Sequence, residues 1–148
     1  MIVNIHRYGA FGDVVLTTGL IRTLKQRGWT VNYFCTDRGE QVLRHNPNVN
    51  VIALDKHLPN DELDKYSKEM KMKFKADRTI DLTQSIETSL AFVPRNPEYV
   101  WTKDERAKIA NRNYYEYTFE VAKEPYEVSD LRPELFFTNK EIEDASYV

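Results

Sequence analysis

The stretch HRYGAFGDVVLTTGLIRTLK, residues His6 to Lys25, contains the pattern that best predicts the fold of this chain. It follows an apolar run at 2–5 that is typical of a buried parallel strand. Gly9 and Gly12 then form a turn, and an apolar pattern of helical spacing runs from Asp13 to Arg27. A strand, a glycine turn and a helix in this order predict the first unit of a Rossmann-like α/β domain.

Further strands and helices alternate along the rest of the chain. Apolar runs at 31–35, 49–54 and 78–82 predict three more strands of a parallel sheet flanked by helices. The spacing of apolar residues predicts a single helix over 104–123, and the end of the chain predicts a strand over 135–137. A last helix is expected to begin at Thr138 or Asn139. With 148 residues, one domain over 1–148 is the expected organisation.

Composition excludes some classes of function. The chain has 21 lysine and arginine residues against 23 aspartate and glutamate residues, so it lacks the basic field of a nucleic-acid-binding protein. Its single cysteine, Cys35, lies in an apolar run and is expected to be a small buried hydrophobe. No signal peptide or membrane-spanning apolar run is evident, so we expect a cytoplasmic protein, with peripheral attachment to the inner face of the membrane as a further option.

Asp13 raises the main question about function. The N-terminus of a helix binds a ligand phosphate favourably, and a carboxylate at that position competes with the phosphate. As a dinucleotide-binding fingerprint the turn is incomplete, because Arg7 stands at the position of the first glycine. Asp37, however, follows the second predicted strand, where an acid that binds ribose would lie.

Two interpretations of Asp13 follow from the residues. It is either an N-cap whose carboxylate accepts a backbone N–H, or a carboxylate that faces the ligand crevice at the carboxyl edge of the sheet. In the second case it could take a proton from an acceptor hydroxyl. The two interpretations are compatible, because backbone N–H groups would fix the carboxylate in place and keep it ionised.

Four segments in order, RYGAFGDVVLTTGLIRTLKQRG, VNYFCTDRGEQVLRHNPNVNVIALD, DRTIDLTQS and RPELFFTNKEIEDA, carry a resemblance to a known family. With these segments the chain resembles the N-terminal domain of the ADP-heptose:lipopolysaccharide heptosyltransferases, glycosyltransferase family 9. The resemblance implies the N-terminal, acceptor-side half of a GT-B fold and metal-independent, inverting transfer from a nucleotide sugar, such as ADP-heptose, to a lipopolysaccharide or other glycan acceptor.

The same resemblance assigns roles to residues. Asp13 matches the aspartate proposed as the general base, and Gly9 and Gly12 would let the substrates approach the backbone closely. The donor would be bound mainly by a C-terminal domain outside residues 1–148, so the chain is expected to be a truncated half, inactive alone, that works with that domain or with a partner chain. An apolar flank left uncovered would favour self-association.

Several other residues each allow two interpretations. Arg7 meets an acceptor phosphate or forms a structural ion pair, and Thr17 lines the cleft or bonds back to its helix. Gln84 and Ser85 follow a strand and could contact the acceptor, although Ser85 could equally cap a helix. The histidines at 45 and 57 have no partners at ligand spacing, so no metal site is predicted.

Three functions are therefore compatible with the sequence. The first is the acceptor domain of a glycosyltransferase, with Asp13 as the base. The second is a dinucleotide-binding domain that uses Gly9, Gly12 and Asp37. The third is a non-catalytic module that binds a saccharide or a partner chain and would tolerate the loss of Asp13.

Overall fold

The computed structural model describes residues 1–54, 59–83 and 100–146. Its four strands all run parallel in one sheet, in the order β3-β2-β1-β4. The strands are β1 (Ile2–His6), β2 (Thr30–Cys35), β3 (Asn50–Ala53) and β4 (Arg78–Asp81). The chain thus moves outward from β1 in one direction and then returns to place β4 on the other side, which puts a topological switch point between the carboxyl ends of β1 and β4.

Seven α-helices and a short 3₁₀ helix over Val128–Leu131 accompany this sheet within the described ranges. The helices are α1 (Phe11–Val15), α2 (Thr18–Gln26), α3 (Asp37–Leu43), α4 (Asn60–Lys73), α5 (Lys103–Ala110), α6 (Tyr114–Ala122) and α7 (Asn139–Ala145). The expected α/β class is confirmed, as a Rossmann-like parallel sheet flanked by helices.

The two faces of the sheet carry different side chains because successive residues of a strand point to opposite sides. One face holds the main apolar core, where Val3, Ile5 and Tyr33 pack with buried residues of α2 and α6. The other face carries His6, Phe34 and Asn4, which meet the end of α4. There the rings of Phe34 and Phe74 lie 5.3 Å apart, and the Asn4 side chain donates to the Phe74 carbonyl over 2.6 Å.

The predicted helix over 13–27 is in fact two helices, α1 and α2. Thr17 separates them, because its hydroxyl donates to the Val14 carbonyl over 2.7 Å and its backbone N–H bonds to the same oxygen over 3.0 Å. Side-chain and three-residue backbone bonds of this kind compete with regular α-helical bonding. Gly28, with φ of +85°, ends the second helix as expected.

The predicted helix over 104–123 is also divided. Asn113 starts α6 as its N-cap, with its side chain accepting the Tyr115 N–H over 3.0 Å, so α5 ends before it. The predicted strand over 135–137 is wrong, since these residues pair with no strand in the described part of the chain. The expected start of the last helix is confirmed: Thr138 and Glu141 form a capping box.

Candidate functional site

Asp13 lies in the first turn of α1, beside the switch point. It is the third helical residue and not the N-cap, which corrects the capping role expected from the sequence; the N-cap is Ala10. The Asp13 carboxylate reaches back, and its Oδ2 accepts the Ala10 N–H over 2.6 Å. Because this donor precedes Asp13 in the chain, the side chain folds over the turn that leads into the helix.

Arg7 connects Asp13 to the sheet. Its side chain is 3% exposed, one guanidinium nitrogen donates to the Leu82 carbonyl over 2.9 Å, and the other lies 3.3 Å from Oδ1 of Asp13. Of the two roles that the sequence left open for Arg7, this geometry matches the structural ion pair. The contacts join the ends of β1 and β4 to α1.

The two glycines of the turn differ in what surrounds them. A Cβ atom on Gly9 would collide with the Asp13 side chain, lying only 2.6 Å from its Cγ, whereas a Cβ on Gly12 would meet no atom within 4 Å. Gly9 is therefore required by the carboxylate of the protein itself. The Asp13 carboxylate covers Gly9 and uses the Ala10 N–H, and these are groups that a bound pyrophosphate would need.

Asp37 lies two residues after the last residue of β2, at the start of α3, and it is exposed. Thr36, the residue before it, donates its hydroxyl to the Gly9 carbonyl over 3.2 Å. Asp37 therefore lies at the same edge of the sheet as the turn, and it remains available to a ligand. The position of Asp37 is therefore compatible with dinucleotide binding, whereas the glycine turn is not open to a pyrophosphate.

Thr17 lies inside the core. It is fully buried, and its hydroxyl is bonded to the Val14 carbonyl and lies 2.8 Å from the Tyr33 hydroxyl, so it does not reach the crevice. Gln84 and Ser85 lie outside the described residues.

A second polar group lies at the switch point that the sequence did not identify as a site. His6 is the last residue of β1 and Asp81 the last of β4, and they occupy paired positions of the two strands. Lys71 of α4 pairs with Asp81, while Nδ1 of His6 lies 3.1 Å from the Tyr8 hydroxyl. Asp81 carried a signal, because it lies near the carboxyl end of the strand predicted over 78–82; Lys71 belongs to a lysine-rich helix end, which is typical of solvated surface.

Burial and hydrogen bonds together set the protonation of this second group. Burial, assisted by the charge of Lys71 and opposed by Asp81, lowers the pKa of His6 to about 4, so the ring is neutral near pH 7. Burial alone would raise the pKa of Asp81, but hydrogen bonds from Lys71 and Thr83 outweigh it and hold that pKa below its usual value. Burial also raises the pKa of Tyr8, which stays a neutral phenol. The ionised carboxylate of Asp81 is therefore paired, and His6 and Tyr8 are neutral.

The arrangement offers one chemical capability. Asp13 combines an oriented carboxylate with a side chain that is 23% exposed, at the edge of the sheet where ligands of open α/β domains bind. Such a group can accept a hydrogen bond, and then a proton, from a hydroxyl placed in the crevice.

The described residues offer neither a metal site nor a membrane-spanning helix. No cluster of three or more histidine, cysteine, aspartate or glutamate side chains there has the geometry to hold a metal ion. None of the helices in those ranges combines the length and the apolar character that a membrane span requires.

Comparison with solved structures connects this fold with a protein family. The chain matches the crystal structure of a glycosyl transferase family 9 protein from Veillonella parvula DSM 2008, with a TM-score of 0.60 and 18% sequence identity. The two proteins therefore share a fold over the length of this chain. The match covers 98% of this chain but 47% of the other, so the chain spans about half the length of that protein. This agrees with the expected half of a GT-B fold. No protein-family model and no curated protein sequence matches the chain.

Proposed function

We propose that the chain is the acceptor-side domain of a heptosyltransferase-like glycosyltransferase. It would take part in moving a sugar from a nucleotide-sugar donor, such as ADP-heptose, to a lipopolysaccharide or other glycan acceptor. The observation that carries the proposal is the Asp13 carboxylate at the switch point, fixed by the Ala10 N–H and by Arg7. The shared fold with a family 9 glycosyl transferase supports the same function.

In this mechanism Asp13 acts on the acceptor. The acceptor hydroxyl lies in the crevice and donates a hydrogen bond to the carboxylate. As the hydroxyl oxygen attacks the anomeric carbon of the donor, its proton passes to Asp13, and the bond from that carbon to the nucleoside diphosphate breaks. Attack opposite the leaving group inverts the anomeric centre. The donor phosphates would be held by the second half of the GT-B fold, which leaves the first turn free to carry an acid.

The geometry of the turn argues against the dinucleotide alternative. A Rossmann pyrophosphate lies on the glycine turn and at the helix N-terminus. Here the Asp13 side chain covers Gly9 and takes the Ala10 N–H. A phosphate would have to displace a carboxylate and then lie next to it, and the two negative charges would repel each other.

The proposal is tested by offering the protein both kinds of ligand. ADP-heptose, UDP-glucose and GDP-mannose are each incubated with the protein, together with its donor-binding half, and with a lipopolysaccharide core acceptor, and the release of nucleoside diphosphate is measured. NAD⁺ binding is measured in parallel by calorimetry. We expect acceptor-dependent release with one of the sugars and no saturable NAD⁺ binding. Saturable NAD⁺ binding without any transfer would contradict the proposal and favour the dinucleotide alternative.

A further inference from the structure

Arg7 is buried at the base of the site, where its guanidinium contacts two different parts of the chain. The guanidinium is anchored to the carbonyl of Leu82, the residue that follows β4, and faces Asp13 with its other end. The backbone N–H of Arg7 is bound in turn to the Phe34 carbonyl of β2 over 3.0 Å. Arg7 is thus attached to both strands that flank β1, while α1, which carries Asp13, is a helix of only five residues.

A short helix does not fix a side chain precisely by itself, because most of its stability comes from packing. The contacts from Leu82 through Arg7 to Asp13 fix the position of the carboxylate relative to the sheet. A buried positive charge also favours the ionised form of a neighbouring carboxyl group. A ligand has little access to Arg7, because 3% of its side chain is exposed.

We propose that Arg7 is a positioning residue, which orients the Asp13 carboxylate toward the crevice and keeps it ionised for the acceptor hydroxyl. The inference rests on the function proposed above. It replaces a substrate-binding role for Arg7 with one exerted through Asp13. Lysine would keep the charge but lose the two-pronged geometry that reaches Leu82 and Asp13 together.

Arg22 provides a matched control. Its guanidinium also joins a carboxylate to backbone carbonyls: it lies 3.2 Å from Oε2 of Glu134 and donates to the carbonyls of Ser129 and Asp130 over 3.1 Å each. These contacts attach the segment after α6 to α2. Arg22→Met therefore removes a similar set of bonds away from Asp13.

The experiment follows the Asp13 carboxyl carbon by ¹³C NMR through a pH titration, in wild-type protein and in Arg7→Met, Arg7→Lys and Arg22→Met variants. The amide spectrum of each variant shows whether it is folded. We expect the titration of Asp13 to move to higher pH in Arg7→Met, to move less in Arg7→Lys, and to stay unchanged in Arg22→Met. An unmoved titration in folded Arg7→Met would overturn the proposal. If that variant does not fold, a wild-type titration in Arg7→Lys together with wild-type kcat would overturn it.

The same variants are then compared in the transfer reaction. Misplacement of a catalytic group by about 1 Å can cost on the order of 100-fold in rate, so we expect Arg7→Lys to lose about 10- to 100-fold in kcat with little change in KM. The acid limb of its pH–rate profile should also move to higher pH. If the titration shifts as expected but Asp13→Asn keeps full activity, the contact stands and the proposed function fails. The two claims are thus tested separately.

Discussion

Two clusters of charged residues lie at opposite ends of the same sheet, and they are built differently. At the amino end, Glu124 is buried between two arginines, Arg27 and Arg78, and lies 2.5 Å from the latter. Each arginine also donates to a backbone carbonyl, Arg27 to Pro125 and Arg78 to Ala122. At the carboxyl end, Asp13 faces one arginine at 3.3 Å, and a fifth to a quarter of its side chain is exposed.

Under the proposed function, this difference is one between a structural and a catalytic carboxylate. A buried carboxylate between two cations joins segments of the chain and has little left to offer a ligand. A carboxylate that is fixed on one side and open on the other can act on a substrate. The carboxyl end also holds His6, whose Nε2 is buried without a hydrogen-bond partner among the described residues. The His6 ring is thus held at a cost in stability.

The largest change in the free energy of unfolding should come from the protonation of His6. The unfolded chain binds a proton at His6 near pH 6.5, whereas the folded chain does so only near pH 4. Between these values the unfolded state holds more protons, so stability falls as the pH falls from about 6.5 to about 4, by about 3 kcal/mol in total. Urea unfolding at several pH values should show this loss in wild-type protein and lack it in His6→Gln.

His45→Gln is the control for that comparison, since His45 lies on the surface after α3, with Nε2 3.6 Å from Glu141. It should retain the acid sensitivity of the wild type. If the free energy of unfolding depends on pH equally in wild-type and His6→Gln protein, His6 does not reduce stability in this way. The contrast between the two ends of the sheet would then be weaker.

The next effect concerns the amino end. Glu124→Gln removes the charge between Arg27 and Arg78, and we expect the free energy of unfolding to fall by about 2 kcal/mol with kcat unchanged. Glu120→Gln is the matched control, because Glu120 pairs with Arg112 on the exposed surface, where such a pair contributes within about 0.5 kcal/mol. A loss of kcat in folded Glu124→Gln would break the division between a structural and a functional end.

The smallest expected effect on stability separates the two glycines of the turn. Gly9→Ala forces the Asp13 side chain away, which should cost about 1 kcal/mol in stability and lower kcat. Gly12→Ala places a methyl group in open space within a helix and should be neutral or stabilise by about 0.5 kcal/mol. Thermal unfolding and kcat of the pair test this contrast. Equal behaviour of both variants would mean that Gly9 does not serve Asp13.

Local patterns were enough to predict most of the fold. Apolar runs located the four strands, and Gly28 marked the end of α2, because both signals depend on neighbouring residues. The break at Thr17 escaped an argument from apolar spacing, since it depends on a hydroxyl that competes for backbone carbonyls. The strand expected over 135–137 failed because a strand needs a neighbouring strand to pair with, and sequence propensity does not reveal where a segment lies relative to the sheet.

The site was predictable only in part. Asp13 attracted attention because a carboxylate is out of place where a phosphate would bind, and its location at the carboxyl edge followed from the predicted parallel sheet, whereas the strand order that makes this edge a switch point did not. The bond from Arg7 to Leu82, which connects Asp13 to the sheet, joins residues 75 positions apart, and no local pattern indicates it. Asp81 had a visible signal at the end of a strand, while its partner Lys71 resembled ordinary helix surface.

The most direct measurement is the turnover of the transfer reaction by Asp13→Asn beside Asp37→Asn, with wild-type protein as reference. Both substitutions neutralise a carboxylate at the carboxyl edge of the sheet, but only Asp13 is fixed by Ala10 and Arg7. We expect Asp13→Asn to lose kcat by about 10²- to 10⁴-fold while KM and stability change little, and Asp37→Asn to behave as wild type. Full activity in folded Asp13→Asn would contradict the claim that this turn carries a catalytic base.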